Sequence, residues 1–276
     1  MKRNVLIISG TAFILFIVFS CGKKALAPDT KSGTSTTKHY AKTSSGDIGF
    51  TFAQMGAMHN ATLDYVLTTL AGKTGGLSNA QYADSLTRTV FPYLRTNYPG
   101  IFTANDSLYS DSTLLAGLNA DDYYNGDSAW KAGLSYTSSH ITNHELAYIN
   151  RIDTIFNASN ALYAGSTITR DSTFGYIIAR LNAVISTFNS DTWNTGSDGD
   201  AAAGALYIAL YSAQYWRTVT TYTDPPSSIL RVDAAGYLFG WGRAWLVDQL
   251  DSPEARIHAG FTSATDWSAG LLASFL

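Results

Sequence analysis

Three stretches of the chain combine residue types that can do chemistry. The first is Ser138-Ser139-His140-Ile141-Thr142-Asn143-His144-Glu145. His140 and His144 are four residues apart, a spacing that puts two imidazoles on one face of a helix. With Glu145 beside them they could hold a zinc ion and supply a carboxylate base, as a metal-dependent hydrolase requires. The spacing departs from both common zinc signatures. HExxH would need histidine at 148, where Tyr148 stands, and HxxEH would need glutamate at 143, where Asn143 stands. His59, Asp121 or Asp122 would have to complete such a site. The competing reading holds no metal: His140 lies near a helix start and His144 faces a polar neighbour.

The second stretch is Met55-Gly56-Ala57-Met58-His59-Asn60-Ala61-Thr62-Leu63. His59 and Asn60 interrupt an apolar helical pattern, and polar groups buried there need partners. They either line a ligand pocket or form a satisfied contact that fixes helix register. The third is Tyr215-Trp216-Arg217 together with residues 231–245. Tyr215, Trp216, Trp241 and Trp245 read as core or as the lining of a sugar or peptide groove. Asp233 is placed to cap a helix or to pair with Arg217. Gly236, Gly240 and Ala244 recur every four residues and make a small-residue stripe. In a membrane such a stripe is a dimerisation face, and it would be the basis of a pore-forming reading. Arg231, Asp233, Arg243 and Asp248 interrupt it, so close helix packing in a water-soluble domain is the expectation.

Helices must position all of these residues. Phe52, Met55, Met58, Leu63, Val66, Leu67 and Leu70 recur at helical spacing. A second helix starts with Ser78 or Asn79 as N-cap, meets Pro92, which should kink or divide it, and stops at Pro99. Residues 105–127 are broken by Asn, Asp and Gly, with one short helix near Ser112–Leu118. A long segment runs from about Ser128 to Phe156, and another from Asp171 to Phe188. Further helices begin at about Asp200 and span Ile229–Gln249. Ser252-Pro253-Glu254 is a helix start, with cap, first-turn proline and acid on the positive end. No alternating strand pattern of useful length occurs. The expected architecture is all-α: a single globular domain of seven or eight helices over residues 48–276.

The first 47 residues are of another kind. Met1-Lys2-Arg3-Asn4 is basic, and Val5 to Phe19 is almost wholly apolar. That pattern describes a secretory signal peptide, too short for a transmembrane span. The only cysteine, Cys21, stands where the apolar run ends. Residues 21–47 are rich in Ser, Thr, Lys and Gly and read as a flexible tether. The acids are lopsided, with 19 Asp among the 21 acidic residues, and Asp favours helix caps and turns. A net charge of −3 leaves no nucleic-acid footprint.

Val18-Phe19-Ser20-Cys21-Gly22 resembles a bacterial lipobox, with a bulkier residue at Phe19 than is usual. The resemblance implies cleavage before Cys21, lipidation of its thiol with acyl chains such as palmitate, and acylation of the new amino terminus. Two or more chains anchor a protein stably. The lipobox, the tether, His59-Asn60 followed by Leu63-Asp64-Tyr65-Val66-Leu67, then Ser212/Tyr215/Trp216 and Asp233/Gly236/Gly240, together resemble uncharacterised lipoproteins of Bacteroidota-type bacteria. That family implies no activity and no cofactor. It implies a cell-envelope location, with outer-membrane anchoring on the periplasmic face or the cell surface. It also makes His59, Asn60, Tyr215, Trp216 and Asp233 the binding positions to test. The O-glycosylation sequon of such bacteria resembles Asp followed by Ser or Thr and a further aliphatic residue or Thr. It occurs at Ser85, Ser107, Ser112, Ser128, Thr154 and Ser172, where helix capping is the competing account. The expectation is a membrane-anchored binding or structural module for a protein, peptide or glycan. The alternative is a hydrolase built on His140, His144 and Glu145.

Overall fold

The computed structural model describes residues 50–70, 73, 76–102, 126–193, 198–219, 225–246 and 253–273. Cys21, the tether, the helix expected near residues 112–118, Asp121, Asp122, Ser107 and Ser112 lie outside them. Among the described residues the fold is all-α and forms one domain. Its eight helices are α1 (Phe52–Leu70), α2 (Asn79–Asn97), α3 (Gly126–Thr137), α4 (Asn143–Ala164), α5 (Arg170–Ser190), α6 (Asp200–Thr218), α7 (Pro226–Leu246) and α8 (Pro253–Ala273). A lone bridge between Pro99 and Phe102 is the one piece of β-pairing among them.

The helix starts follow local chemistry. Ser78 and Thr142 each cap a helix in a reciprocal box, with Gln81 and Glu145 returning the bond to the cap backbone. Thr169 caps α5 through the Ser172 amide. Two expectations are corrected. The segment expected as one helix from Ser128 to Phe156 is two, because Thr137 ends α3 and the Thr142 box starts α4 afresh. Pro92 does not divide α2, which continues to Asn97. Pro92 and Arg88 are both exposed, so the carbonyl that proline leaves without a donor can turn to water.

α7 is the axis of the domain. It packs against α3, α6 and α8, while α1 and α5 pack on α6, and α2 lies against α1 and α8. Small residues allow this approach. A Cβ built on Gly133 of α3 would stand 2.7 Å from the Ala235 carbonyl oxygen of α7, and one on Gly236 of α7 would stand 2.9 Å from the Ser263 carbonyl oxygen of α8. The stripe at Gly236 and Gly240 is therefore filled by the chain's own α8. Tyr237, fully buried, enters between Gly204 of α6 and Gly260 of α8. Around this axis the core is heavily aromatic, with Phe156, Phe174, Phe188, Trp193, Trp216 and Trp267 at 1% exposure or less. No described helix is long and apolar enough to cross a membrane.

Two glycines separate packing from propensity. Gly133→Val forces α3 off α7 and should cost about 1–3 kcal/mol in urea unfolding. Gly175 of α5 has open space where a Cβ would go, so Gly175→Ala should stabilise by about 0.5–1 kcal/mol.

Candidate functional site

The chemistry-bearing residues of α1, α6 and α7 converge on one point. Asp233 of α7 is fully buried. Its Oδ2 accepts a hydrogen bond from Trp216 Nε1 of α6 at 2.9 Å. Its Oδ1 accepts from Ser268 Oγ of α8 at 2.5 Å. Ser268 Oγ lies 3.0 Å from His59 Nε2 of α1 and 2.8 Å from the Ala264 carbonyl oxygen. His59 Nδ1 lies 3.3 Å from Asn60 Oδ1, and Asn60 Nδ2 donates to the Tyr211 carbonyl oxygen at 2.8 Å. Four helices are joined through one carboxyl group, one hydroxyl and one imidazole.

Four of the five binding candidates, His59, Asn60, Trp216 and Asp233, belong to this network, and Tyr215 adjoins it. The Tyr215 ring meets Trp216 edge-on at 5.3 Å. Its hydroxyl is buried, with no hydrogen-bond partner among the described residues. Burial, then the nearby Asp64 and Asp233, push its pKa well up. Ser212 Oγ also faces Asp233 and helps to hold its pKa down, although it makes no bond of ordinary hydrogen-bond geometry. The expected pairing of Asp233 with Arg217 does not form. Arg217 turns outward and grips Asp171 with two bonds, of 2.7 and 2.9 Å.

Serine, histidine and aspartate in contact invite an acyl-transfer reading, but their order is wrong for it. A nucleophilic serine needs histidine between itself and the acid. Here Ser268 stands between His59 and Asp233, and all three have zero exposure, so no substrate reaches the hydroxyl. Burial lowers the His59 pKa from 6.5, against the opposing pull of Asp233. Burial raises that of Asp233 from 3.8, against His59, Ser268, Ser212 and Trp216. Both shifts favour neutral forms, which suit a structural brace.

The histidine pair is not assembled. His140 lies in the turn before α4, stacked at 5.6 Å on Trp245. His144, in the first turn of α4, pairs with Asp191 at 2.8 Å and stacks on Trp193 at 4.5 Å. Glu145 closes the capping box. The two histidines share no helix face, since the helix begins after His140. Among the described residues no three of His, Cys, Asp and Glu come together as metal ligands. Asp191 is held by Tyr148, whose hydroxyl donates at 2.6 Å. That bond, more than His144, lowers the Asp191 pKa. Burial, then Asp191, pushes Tyr148 up to about 12.

Of the remaining candidates, Trp241 is core and Trp245 is 39% exposed, with the Arg256 guanidinium 4.0 Å over its ring. The described hydroxyls of the glycosylation pattern all sit on helices. Ser85 and Thr154 each donate to the carbonyl four residues back, and the Ser172 amide binds the Thr169 cap. The sequence reading missed Ser268, whose signal was a hydroxyl inside the apolar helix after Trp267. It also missed a cleft of about 850 Å³ between the end of α4, the turn after it and Pro225. No family model matches the chain, and no curated protein or solved structure does.

The brace makes two predictions. Asp233→Ala strands the buried Trp216 N–H and removes one partner of the Ser268 hydroxyl, and should cost about 3 kcal/mol in chemical unfolding, with Asp233→Asn costing less. A His59 pKa below its unfolded value of 6.5 contributes stability that is present above that value and lost as pH falls through it towards the native value. Wild type should therefore lose more stability than His59→Gln between about pH 7.5 and about pH 5 in urea titrations. Asp233, raised from 3.8, acts oppositely in both proteins, losing stability as pH rises above its unfolded value.

Proposed function

We propose that the protein is a lipid-anchored cell-envelope lipoprotein whose helical domain serves as a binding module rather than an enzyme. The observation that carries the anchoring is the run from Met1 to Gly22: basic start, apolar stretch and a lone cysteine in a lipobox-like setting. Acylation of Cys21 would place the domain at a membrane surface on a polar tether, in the outer membrane of a Bacteroidota-type cell. The non-catalytic reading is supported by how the reactive side chains are used. His59 and Asp233 are locked inside a buried brace, and Glu145 caps a helix. The partners of such a module are a membrane through its acyl chains and a protein, peptide or glycan through the domain.

Cys21→Ser tests the anchoring. Wild type should partition with the membrane fraction and carry the mass of a diacylated or triacylated cysteine at its new amino terminus, whereas the variant should lose both. Wild type that stays in the soluble fraction without an acyl mass increment overturns the proposal. The same intact-mass spectrum reads glycosylation, since a further increment beyond the lipid would report a modified Asp-Ser or Asp-Thr site.

A further inference from the structure

We infer that Tyr65 and Tyr93 form an oxidative cross-linking site, where a one-electron oxidant of the peroxide class joins α1 to α2 through a carbon–carbon bond between the two rings. The rings stack with centroids 4.3 Å apart and planes 18° from parallel, at the close limit for stacked aromatic side chains. The contact runs between helices, with Tyr65 on α1 and Tyr93 on α2. It is also open to reagents. Tyr65 is 38% exposed, and Tyr93 is half-buried at the edge of the core. The inference goes beyond the binding-module reading and depends on the fold alone.

Both members of the pair must be phenols for this chemistry. Loss of one electron and one proton turns a tyrosine into a phenoxyl radical, whose unpaired electron is shared with the ring carbons beside the one that bears oxygen. Two such radicals in contact couple at those carbons. The hydrogen on each bonded carbon then leaves as a proton while each oxygen takes one up, and both phenols are restored. Overall two electrons pass to the oxidant and two protons to water, so the pair loses two hydrogen atoms. A peroxide accepts both electrons as its O–O bond breaks. Contact makes the coupling unimolecular, which favours it over reaction with a second copy of the chain.

A second tyrosine contact sharpens the assignment. Tyr98, the C-cap residue of α2, meets Tyr93 edge-on, with centroids 6.4 Å apart and planes at 79°. It can pass an electron to a Tyr93 radical but is poorly placed to bond with it, so Tyr65 is the partner. The product would do the work of a disulfide in a domain without cysteine. Linking residues 65 and 93 closes a loop in the unfolded chain and so restricts the unfolded state. It ties α2, which lies against α1 and α8, to the helix that carries His59.

Photolysis of the dilute full-length protein in detergent, with tris(bipyridyl)ruthenium(II) and persulfate, tests the inference. Each persulfate accepts two electrons and leaves as two sulfates. Trypsin releases Tyr65 in residues 43–73 and Tyr93 in residues 89–95, each the only tyrosine of its peptide. These peptides should be recovered joined, at their summed mass less two hydrogen atoms and with the blue fluorescence of dityrosine. Their yield should be about tenfold above that from protein oxidised in concentrated urea. Tyr65→Phe and Tyr93→Phe keep the ring without the phenol, and each should abolish the joined peptides, whereas Tyr98→Phe should leave them. Treated wild type should melt about 5 °C above Tyr65→Phe treated alike. The inference is overturned if no joined pair forms, if unfolding leaves its yield unchanged, or if Tyr93 couples to the Tyr98 peptide instead. Equal melting temperatures overturn the stapling of α1 to α2.

Discussion

The domain depends on a carboxyl group with no access to water. Asp233 sits on the central helix, and a buried acid is tolerated only when its oxygens are met by donors. Trp216 and Ser268 meet them from the helices on either side, and His59 reaches the same serine from a third. Apolar packing alone would let these helices slide by small amounts at little cost. A carboxyl group with two fixed donors does not, because each displacement leaves a buried group unpaired. The network thus resists changes of helix register, because a fully satisfied buried polar network specifies one packing.

The brace in turn needs closeness. A serine hydroxyl on α8 reaches an aspartate on α7 only if the two backbones nearly touch, and Gly236 and Gly240 remove the side chains that would hold them apart. Tyr237 uses the same device, its ring entering the notch left by Gly204 and Gly260. Its hydroxyl donates to the Asp200 carbonyl oxygen at 3.2 Å, so even this ring is anchored at its polar end. Burial, with Asp200 and Glu145 nearby, pushes its pKa well up and keeps the phenol neutral. The domain has no cysteine to cross-link it. Glycine-mediated contact and satisfied buried polar groups take that place.

Much of this was legible in the sequence. Apolar spacing over 52–70, the capping residue at Ser78, and the apolar run after Asp200 each marked a helix, because local propensity and tertiary packing agree there. His59, Asn60, Trp216 and Asp233 stood out as polar or amphipathic groups in apolar helices, and the structure brings them together. What the sequence could not convey was the partner. Ser268 is a commonplace hydroxyl, 209 residues from His59, and its role exists only once α8 lies against α7. The histidine pair misled for the opposite reason. Four-residue spacing implies a shared face only inside a helix, and the Thr142 cap begins that helix two residues after His140.

The same distinction explains why the reactive-looking residues are not where a ligand would be met. Side chains that can do acid–base chemistry are expensive to bury, so when they lie in a core their donors and acceptors are consumed in keeping them there. A surface that meets a ligand must keep hydrogen-bonding groups uncommitted. In this fold such groups collect where helices end, since the turn from α4 to α5 frees side chains from the packing that claims them elsewhere. There the amides of Gly165, Ser166 and Thr167 close the end of α4, and the hydroxyls of Tyr163, Ser166 and Thr167 make no hydrogen bond among the described residues. None of these residues is conspicuous in the sequence, because what matters about them is that the fold asks nothing else of them.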